Sequence, residues 1–208
     1  KKGFGKKIML AAHMDEIGMM ITSIDKNGFL KFCSLGYNNP LILIGQRVIF
    51  PNGMKGVISH TGMKEHCDFE FNDLFIDIGV RSKVEAERLV GVGDVCVLDA
   101  DYHENGNFLI GRTMDDRIGC YILLELIKSQ IKTDYDVYYV FTVQEEVGTI
   151  GSKTSAFSIA PDLGIAVDVV SVGDIPVGKG FIKQLPVKLG GGPSVRYKDG
   201  YIVSDKKF

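Results

Sequence analysis

Three short apolar runs constrain the fold of this chain more than any other feature. They are Ile8-Met9-Leu10-Ala11-Ala12, residues 137–143 and residues 163–169. None alternates cleanly between apolar and polar side chains. Strands buried on both faces of a parallel sheet read this way, and that architecture requires helices to cover the sheet. One such helix is expected over about 116–130. Ile118, Ile122 and Leu126 recur every four residues there, and Leu123 and Ile127 widen the stripe expected to face the sheet. A second helix is expected from about Ser152, after the turn Gly148-Thr149-Ile150-Gly151. The fold class is α/β.

Residues 19–99 follow a different rule. Residues 20–24, the turn Asp25-Lys26-Asn27-Gly28 and residues 29–32 carry a hairpin signal. Further short strands are expected at 47–50, 55–59, 74–78 and 95–98. Pro51-Asn52-Gly53 and Gly91-Val92-Gly93-Asp94 supply turns between them. Only Ser82-Lys83-Val84-Glu85, a capping-box pattern, suggests a helix in this stretch. A small β-barrel-like domain over 19–99, inserted into an α/β domain formed by 1–18 and 100–208, explains the change better than one continuous sheet.

Bulk properties exclude several functions. The 208 residues carry a net charge of −2, so no basic stripe favours nucleic acid as a partner. No apolar stretch reaches the roughly 18 residues of a membrane span. Lys1-Lys2-Gly3-Phe4-Gly5-Lys6-Lys7 leads into a strand, not a signal-peptide core. The four cysteines, Cys33, Cys67, Cys96 and Cys120, form no C-x-x-C pair and read as reduced thiols of a cytoplasmic protein. His60, His66 and Cys67 fit no zinc-finger spacing and read as part of a polar loop. Gly190-Gly191-Gly192-Pro193-Ser194 lacks the Lys-Ser/Thr of a P-loop and reads as a plain loop. No G-x-S-x-G elbow is present.

The chemistry collects where the α/β strands end. The first strand runs into His13-Met14-Asp15-Glu16, the second into Glu145-Glu146, and the third reaches Asp168. Asp115-Asp116 precede the long helix. Singly, each has an ordinary explanation as a surface hydrogen bond, a solvated turn or a helix cap. Jointly, seven acidic groups and one histidine around one crevice would repel by several kcal/mol without a cation. One or two divalent ions supply the missing charge, and mixed histidine and carboxylate donors suit Zn²⁺, Co²⁺ or Mn²⁺ better than Ca²⁺. In such a site Asp15, two residues after His13, can hold the ring nitrogen that does not face the metal. Adjacent glutamates can divide the work, one as ligand and the other as proton acceptor.

Four motifs in order carry a resemblance to a known family. They are Ala11-Ala12-His13-Met14-Asp15-Glu16-Ile17-Gly18, the segment 111–119 with its Asp-Asp-Arg-Ile-Gly, Gln144-Glu145-Glu146-Val147-Gly148, and Ala166-Val167-Asp168-Val169. Together with Asp77-Ile78-Gly79 and Ser82-Lys83, they resemble the M42 aminopeptidases, which include glutamyl and deblocking aminopeptidases and "cellulase M"-like proteins. The resemblance implies an α/β sandwich of the dinuclear metallopeptidase type, interrupted by a β-barrel-like oligomerisation domain. It also implies peptide substrates and assembly into homo-oligomers, a dodecamer among them. Carried over by position, His13 and Asp168 would bind one metal and Glu146 the second, with Asp115 bridging them through a residue whose following peptide bond is cis. Glu145 would be the general base and Asp15 the residue that orients His13. The family's last metal-binding histidine and its segment before the first strand have no counterpart here, so the chain is read as an internal fragment. Two alternatives stay open: a related dinuclear deacylase or carboxypeptidase, and a non-catalytic assembly module. A metal-free glycosidase, with two carboxylates across a sugar, is disfavoured.

Overall fold

A computed structural model describes residues 5–62, 68–176 and 185–207. The elements in chain order are β1 (Lys7–His13), β2 (Gly18–Ile24), β3 (Leu30–Leu35), α1 (Pro40–Leu43), β4 (Arg47–Ile49), β5 (Lys55–His60), β6 (Leu74–Asp77), α2 (Lys83–Glu87), β7 (Val95–Leu98), β8 (His103–Asn105), β9 (Phe108–Ile110), α3 (Met114–Lys128), β10 (Asp136–Thr142), α4 (Ile150–Ile159) and β11 (Leu163–Ala166). Two compact units result, one ending at Asp168 and the other beginning at Val169.

The first unit holds both expected architectures. Strands β2-β3-β6-β5-β4-β7 close into a barrel, and β10-β1-β11 form a parallel sheet with β1 in the centre. The barrel has the larger core. Met19, Leu30, Val48, Ile58, Leu74 and Ile76 are fully buried in it, each burial contributing about 1.5–3 kcal/mol. A register shift between Ile21 and Ser23 lets Ile21 and Ile24 both face inward although they are three residues apart. The β2–β3 turn closes as its sequence requires: Asp25 Oδ1 accepts from the backbone N–H groups of Asn27 and Phe29, at 2.8 and 2.9 Å. Gly28 adopts a φ of 94°, where a side chain would strike Val80 and Ser82.

In the sheet, β1 pairs with β10 from Lys7↔Asp136 to His13↔Thr142, and with β11 from Ile8↔Leu163 to Ala11↔Ala166. This register brings His13, the segment after Thr142 and the segment after Ala166 to the same, carboxyl-terminal edge. That edge is where ligand sites form in open α/β sheets.

Several expectations need correction. Helix α3 turns a different face inward: Gly119, Cys120 and Leu123 are buried, whereas Ile118, Ile122 and Ile127 are exposed. The cause lies at its start, where Asp116 is anchored under the sheet and small residues one turn later allow close approach. Leu126 does pack against this core, with Leu10, Tyr139, Phe141 and Val167. Strand β11 ends at Ala166 and, among the described residues, stands at the sheet edge, largely exposed instead of covered on both faces. Helix α1, a 3₁₀ turn at Phe71–Asp73 and the β8–β9 hairpin were not expected. Each is only three or four residues per element, too short to show a period. His60 ends β5 and is not wholly in a loop; its Nδ1 lies 2.6 Å from the Gly62 carbonyl oxygen. His66 and Cys67 lie outside the described residues. Cys33, Cys96 and Cys120 are free thiols.

The second unit is made of turns. The Gly173 N–H donates to the Val187 carbonyl at 2.8 Å, and Asp199 Oδ1 accepts from the N–H groups of Tyr201 and Ile202. Gly190 and Gly191 lie in a turn closed by the Gly191 N–H on the Lys188 carbonyl, in line with a plain loop. Among the described residues, no helix is long and apolar enough to cross a membrane.

Candidate active site

His13 is the last residue of the central strand and is only 3% exposed. Its backbone N–H donates to Asp116 Oδ2 at 3.1 Å, and its carbonyl accepts from the Cys120 thiol at 3.2 Å. The ring is placed as tightly as the backbone. Nδ1 lies 3.2 Å from the Asp15 carbonyl oxygen and 3.6 Å from Asp15 Oδ1. With the proton on Nδ1, which that acceptor favours, Nε2 turns its lone pair to the crevice.

Around Nε2 stand three carboxylates, from the start of α3, the loop after β10 and the loop after β11. Asp115 Oδ1 is at 3.0 Å, Glu145 Oε2 at 3.9 Å and Asp168 Oδ1 at 4.0 Å. Donor atoms of His13, Asp115 and Asp168 all lie within 4.8 Å of one another, as do those of His13, Glu145 and Glu146. The structure thus brings His13, Asp115, Glu145, Glu146 and Asp168 to one place, with Asp15 beside them.

These groups strain one another electrostatically. Burial pushes the Glu146 carboxyl up to about 7, and Asp115 is the charge that adds most to that rise. Glu145 is raised as well, by burial first; His13 pulls it down, and Asp168, Asp15 and Asp115 push it up. Burial alone would lower His13, but Glu145, Asp168, Asp115 and Asp116 together leave it raised. The donor set therefore fits a cation. An imidazole lone pair and a carboxylate oxygen 3.0 Å apart are both acceptors, and the contact is favourable only with a proton or a metal ion between them.

Asp15 sits differently from the expectation that its carboxylate holds His13. Oδ1 and Oδ2 accept from the backbone N–H groups of Glu145 and Glu146, at 3.1 and 3.2 Å. The nearer partner of the ring is the Asp15 main chain. One residue thus fixes the histidine with its backbone and the glutamate pair with its side chain.

Sequence reasoning treated Asp116 as a member of the acidic cluster and missed its structural part. It is fully buried, accepts from His13 N–H and from Gly119 N–H at 3.1 Å, and has its carboxyl pushed up to about 6, chiefly by burial. The Asp115–Asp116 peptide bond is cis. Asp115 and Asp116 lack helical backbone angles, and the regular helix runs on from Arg117. Gly119 was a readable signal: a Cβ there would lie 2.3 Å from Asp116 Oδ1. Glu16 was expected in the cluster but is withdrawn from it, since its Oε2 lies 2.8 Å from Arg112 Nε. The pair attracts as ions, although the N–H does not point along the hydrogen-bond direction.

Comparisons with known proteins show the family. The sequence profile of the family described as M42 glutamyl aminopeptidase matches residues 1–208. A curated protein of Acetivibrio thermocellus is 46% identical over 204 residues, covering 98% of this chain and 61% of its own length. Among solved structures, an aminopeptidase from the archaeon Desulfurococcus kamchatkensis superposes with a TM-score of 0.76 at 41% identity, over 87% of this chain and 52% of that one. The TET1 peptidase of Pyrococcus horikoshii, which assembles into a tetrahedron or a large octahedral shell, gives 0.71 at 36% identity, over 85% of this chain and 58% of that one. The chain thus spans about half to three-fifths of the length of these relatives. With the profile matched from end to end, it belongs to the M42 glutamyl aminopeptidase family.

Proposed function

We propose that the protein containing this chain is a metal-dependent aminopeptidase that removes N-terminal residues from peptides. The observation that carries the reading is the convergence at one sheet edge of two groups that share His13, one with Asp115 and Asp168 and one with Glu145 and Glu146, the donor atoms of each group lying within 4.8 Å of one another. His13, Asp115 and Asp168 would hold one divalent cation, and Asp115 and Glu146 would contribute to a second. Zn²⁺ and Co²⁺ suit these donors best, with Mn²⁺ also compatible. Bound there, the cations supply Lewis-acid polarisation of the scissile carbonyl and lower the pKa of the attacking water.

The protein's own groups perform the remaining tasks. Glu145 takes the water's proton and passes it to the leaving amine. Asp15 holds the backbone of Glu145 and Glu146, so that the base and its neighbour keep fixed positions. The excess of carboxylates attracts the free ammonium of a peptide N-terminus, which supplies exopeptidase selectivity. The barrel over 19–99 is the proposed assembly domain of a homo-oligomer, a dodecamer by analogy with the shell-forming relative. Exposed Leu41, Ile42, Val84 and Val92 on the barrel support that role. The three described cysteines, all free, support placement in the cytoplasm.

The test is Glu145→Gln in the full-length protein. Turnover of aminoacyl-anilides is expected to fall roughly 10²–10⁴-fold with metal content unchanged. Wild-type turnover with metal bound would refute the assignment. Cleavage of free but not N-acylated aminoacyl-anilides separates an aminopeptidase from a deacylase.

A further inference from the structure

The barrel approaches the acidic crevice at the loop after β3. A Cβ on Gly36 would lie 3.1 Å from both Cβ and Oε2 of Glu146, and 2.7 Å from Ile17 Cγ2. Gly36 also adopts a φ of 74°, so only glycine lets the loop come this close without strain. The loop therefore forms part of the crevice wall beside Glu146.

The residue that follows is Tyr37, 87% exposed. Its backbone is held on both sides. Gly36 accepts through its carbonyl from Ser34 Oγ at 2.7 Å. Asn38 is buried, and its Nδ2 donates to the Gly18 carbonyl, Ser34 Oγ and the Leu35 carbonyl, at 3.1, 2.9 and 3.3 Å. Asn39 caps α1 through its side chain on the Leu41 N–H. An aromatic ring is thus set on a fixed backbone, one Cα–Cα step of about 3.8 Å from the residue that touches Glu146. An exposed tyrosine held this close to the crevice offers a ligand a rigid apolar surface at low entropic cost.

We propose that Tyr37 is a substrate-contacting residue that packs against the side chain of the peptide's N-terminal residue, so that the barrel contributes to specificity as well as to assembly. This rests on the peptidase reading and deepens it. Tyr37 forms no bond and moves no proton; its effect is on binding and grows with the size of the side chain it covers.

The experiment compares full-length wild type, Tyr37→Ala and Tyr37→Phe, each metal-loaded. Binding of phenylalanine hydroxamate and glycine hydroxamate is measured by calorimetry, alongside KM and kcat on phenylalanyl- and glycyl-anilides. Tyr37→Ala is expected to weaken phenylalanine hydroxamate by about 5- to 10-fold and glycine hydroxamate by less than about 2-fold, as befits one aromatic contact. KM should follow the same pattern with kcat nearly constant, and Tyr37→Phe should restore wild-type values. Equal losses on both ligands, or none, would overturn the proposal. If wild type binds neither hydroxamate and cleaves neither anilide, the peptidase reading fails and the role of Tyr37 fails with it.

Discussion

Replacing Asp116 by asparagine tests how the fold pays for its acidic crevice. Asp116 is fully buried, and its two oxygens accept the backbone N–H groups of His13 and Gly119. Its carboxyl is raised from 3.8 to about 6, mainly by burial. Between those values the folded state holds a proton that the unfolded chain has released. Stability must then fall as pH rises across that window. A shift of about two units corresponds to about 3 kcal/mol at 1.36 kcal/mol per unit. Asparagine has nearly the same shape and no charge, so it removes this dependence. It still presents an N–H group to one backbone donor, which costs about 1–3 kcal/mol at every pH. The assay is urea denaturation of chelator-treated wild type and variant between pH 4 and pH 8. Asp116→Asn should be less stable than wild type by about 1–3 kcal/mol near pH 4, and as stable as wild type or more so by pH 7 to 8, once wild type has lost about 3 kcal/mol. A stability difference independent of pH would refute the claim that Asp116 is buried as a costly carboxylate.

Other consequences are more direct. Gly119→Ala would place a methyl group 2.3 Å from Asp116 Oδ1, and it should destabilise the protein by about 1–3 kcal/mol in the same assay. Asp15→Ala removes the acceptor for the N–H groups of Glu145 and Glu146; metal affinity should drop about 10–100-fold, measured by competition with a chromogenic chelator. In the metal-free protein the raised groups Glu146, Glu145 and His13 each bind protons more tightly when folded. Stability should therefore decline further as pH rises through about 7, and metal addition should reverse the decline, read as a rise in the thermal midpoint.

What the sequence disclosed followed from which forces act locally. Apolar runs without alternation placed β1 and β10, and the acidic residues just beyond them could be assigned to one edge because parallel strands end together. The same pattern overstated β11, since a sheet edge and a sheet centre both favour Leu, Ile and Val. The inward face of α3 was misread because apolar periodicity weighs Ile118 and Ile122 but gives no weight to Gly119, whose value is the space it leaves for a carboxylate. Asp116 was hidden for a related reason: its partner, the His13 N–H, is 103 residues away in the chain. The contact of Gly36 with Glu146 joins barrel and sheet, and nothing in Ser34-Leu35-Gly36-Tyr37 announces it. Short elements such as α1 and β8–β9 owe their existence to capping and to pairing with each other, not to a period.

Calorimetric titration of the metal-stripped full-length protein with Zn²⁺ near pH 6.5 shows whether the crevice around His13 holds divalent cations. Binding should reach as many as two ions per chain and release protons, because Glu146, raised to about 7, and His13 must shed them to ligate. His13→Ala should weaken at least one site by 10-fold or more. Absence of binding, or binding indifferent to both His13→Ala and Asp115→Ala, would contradict the account.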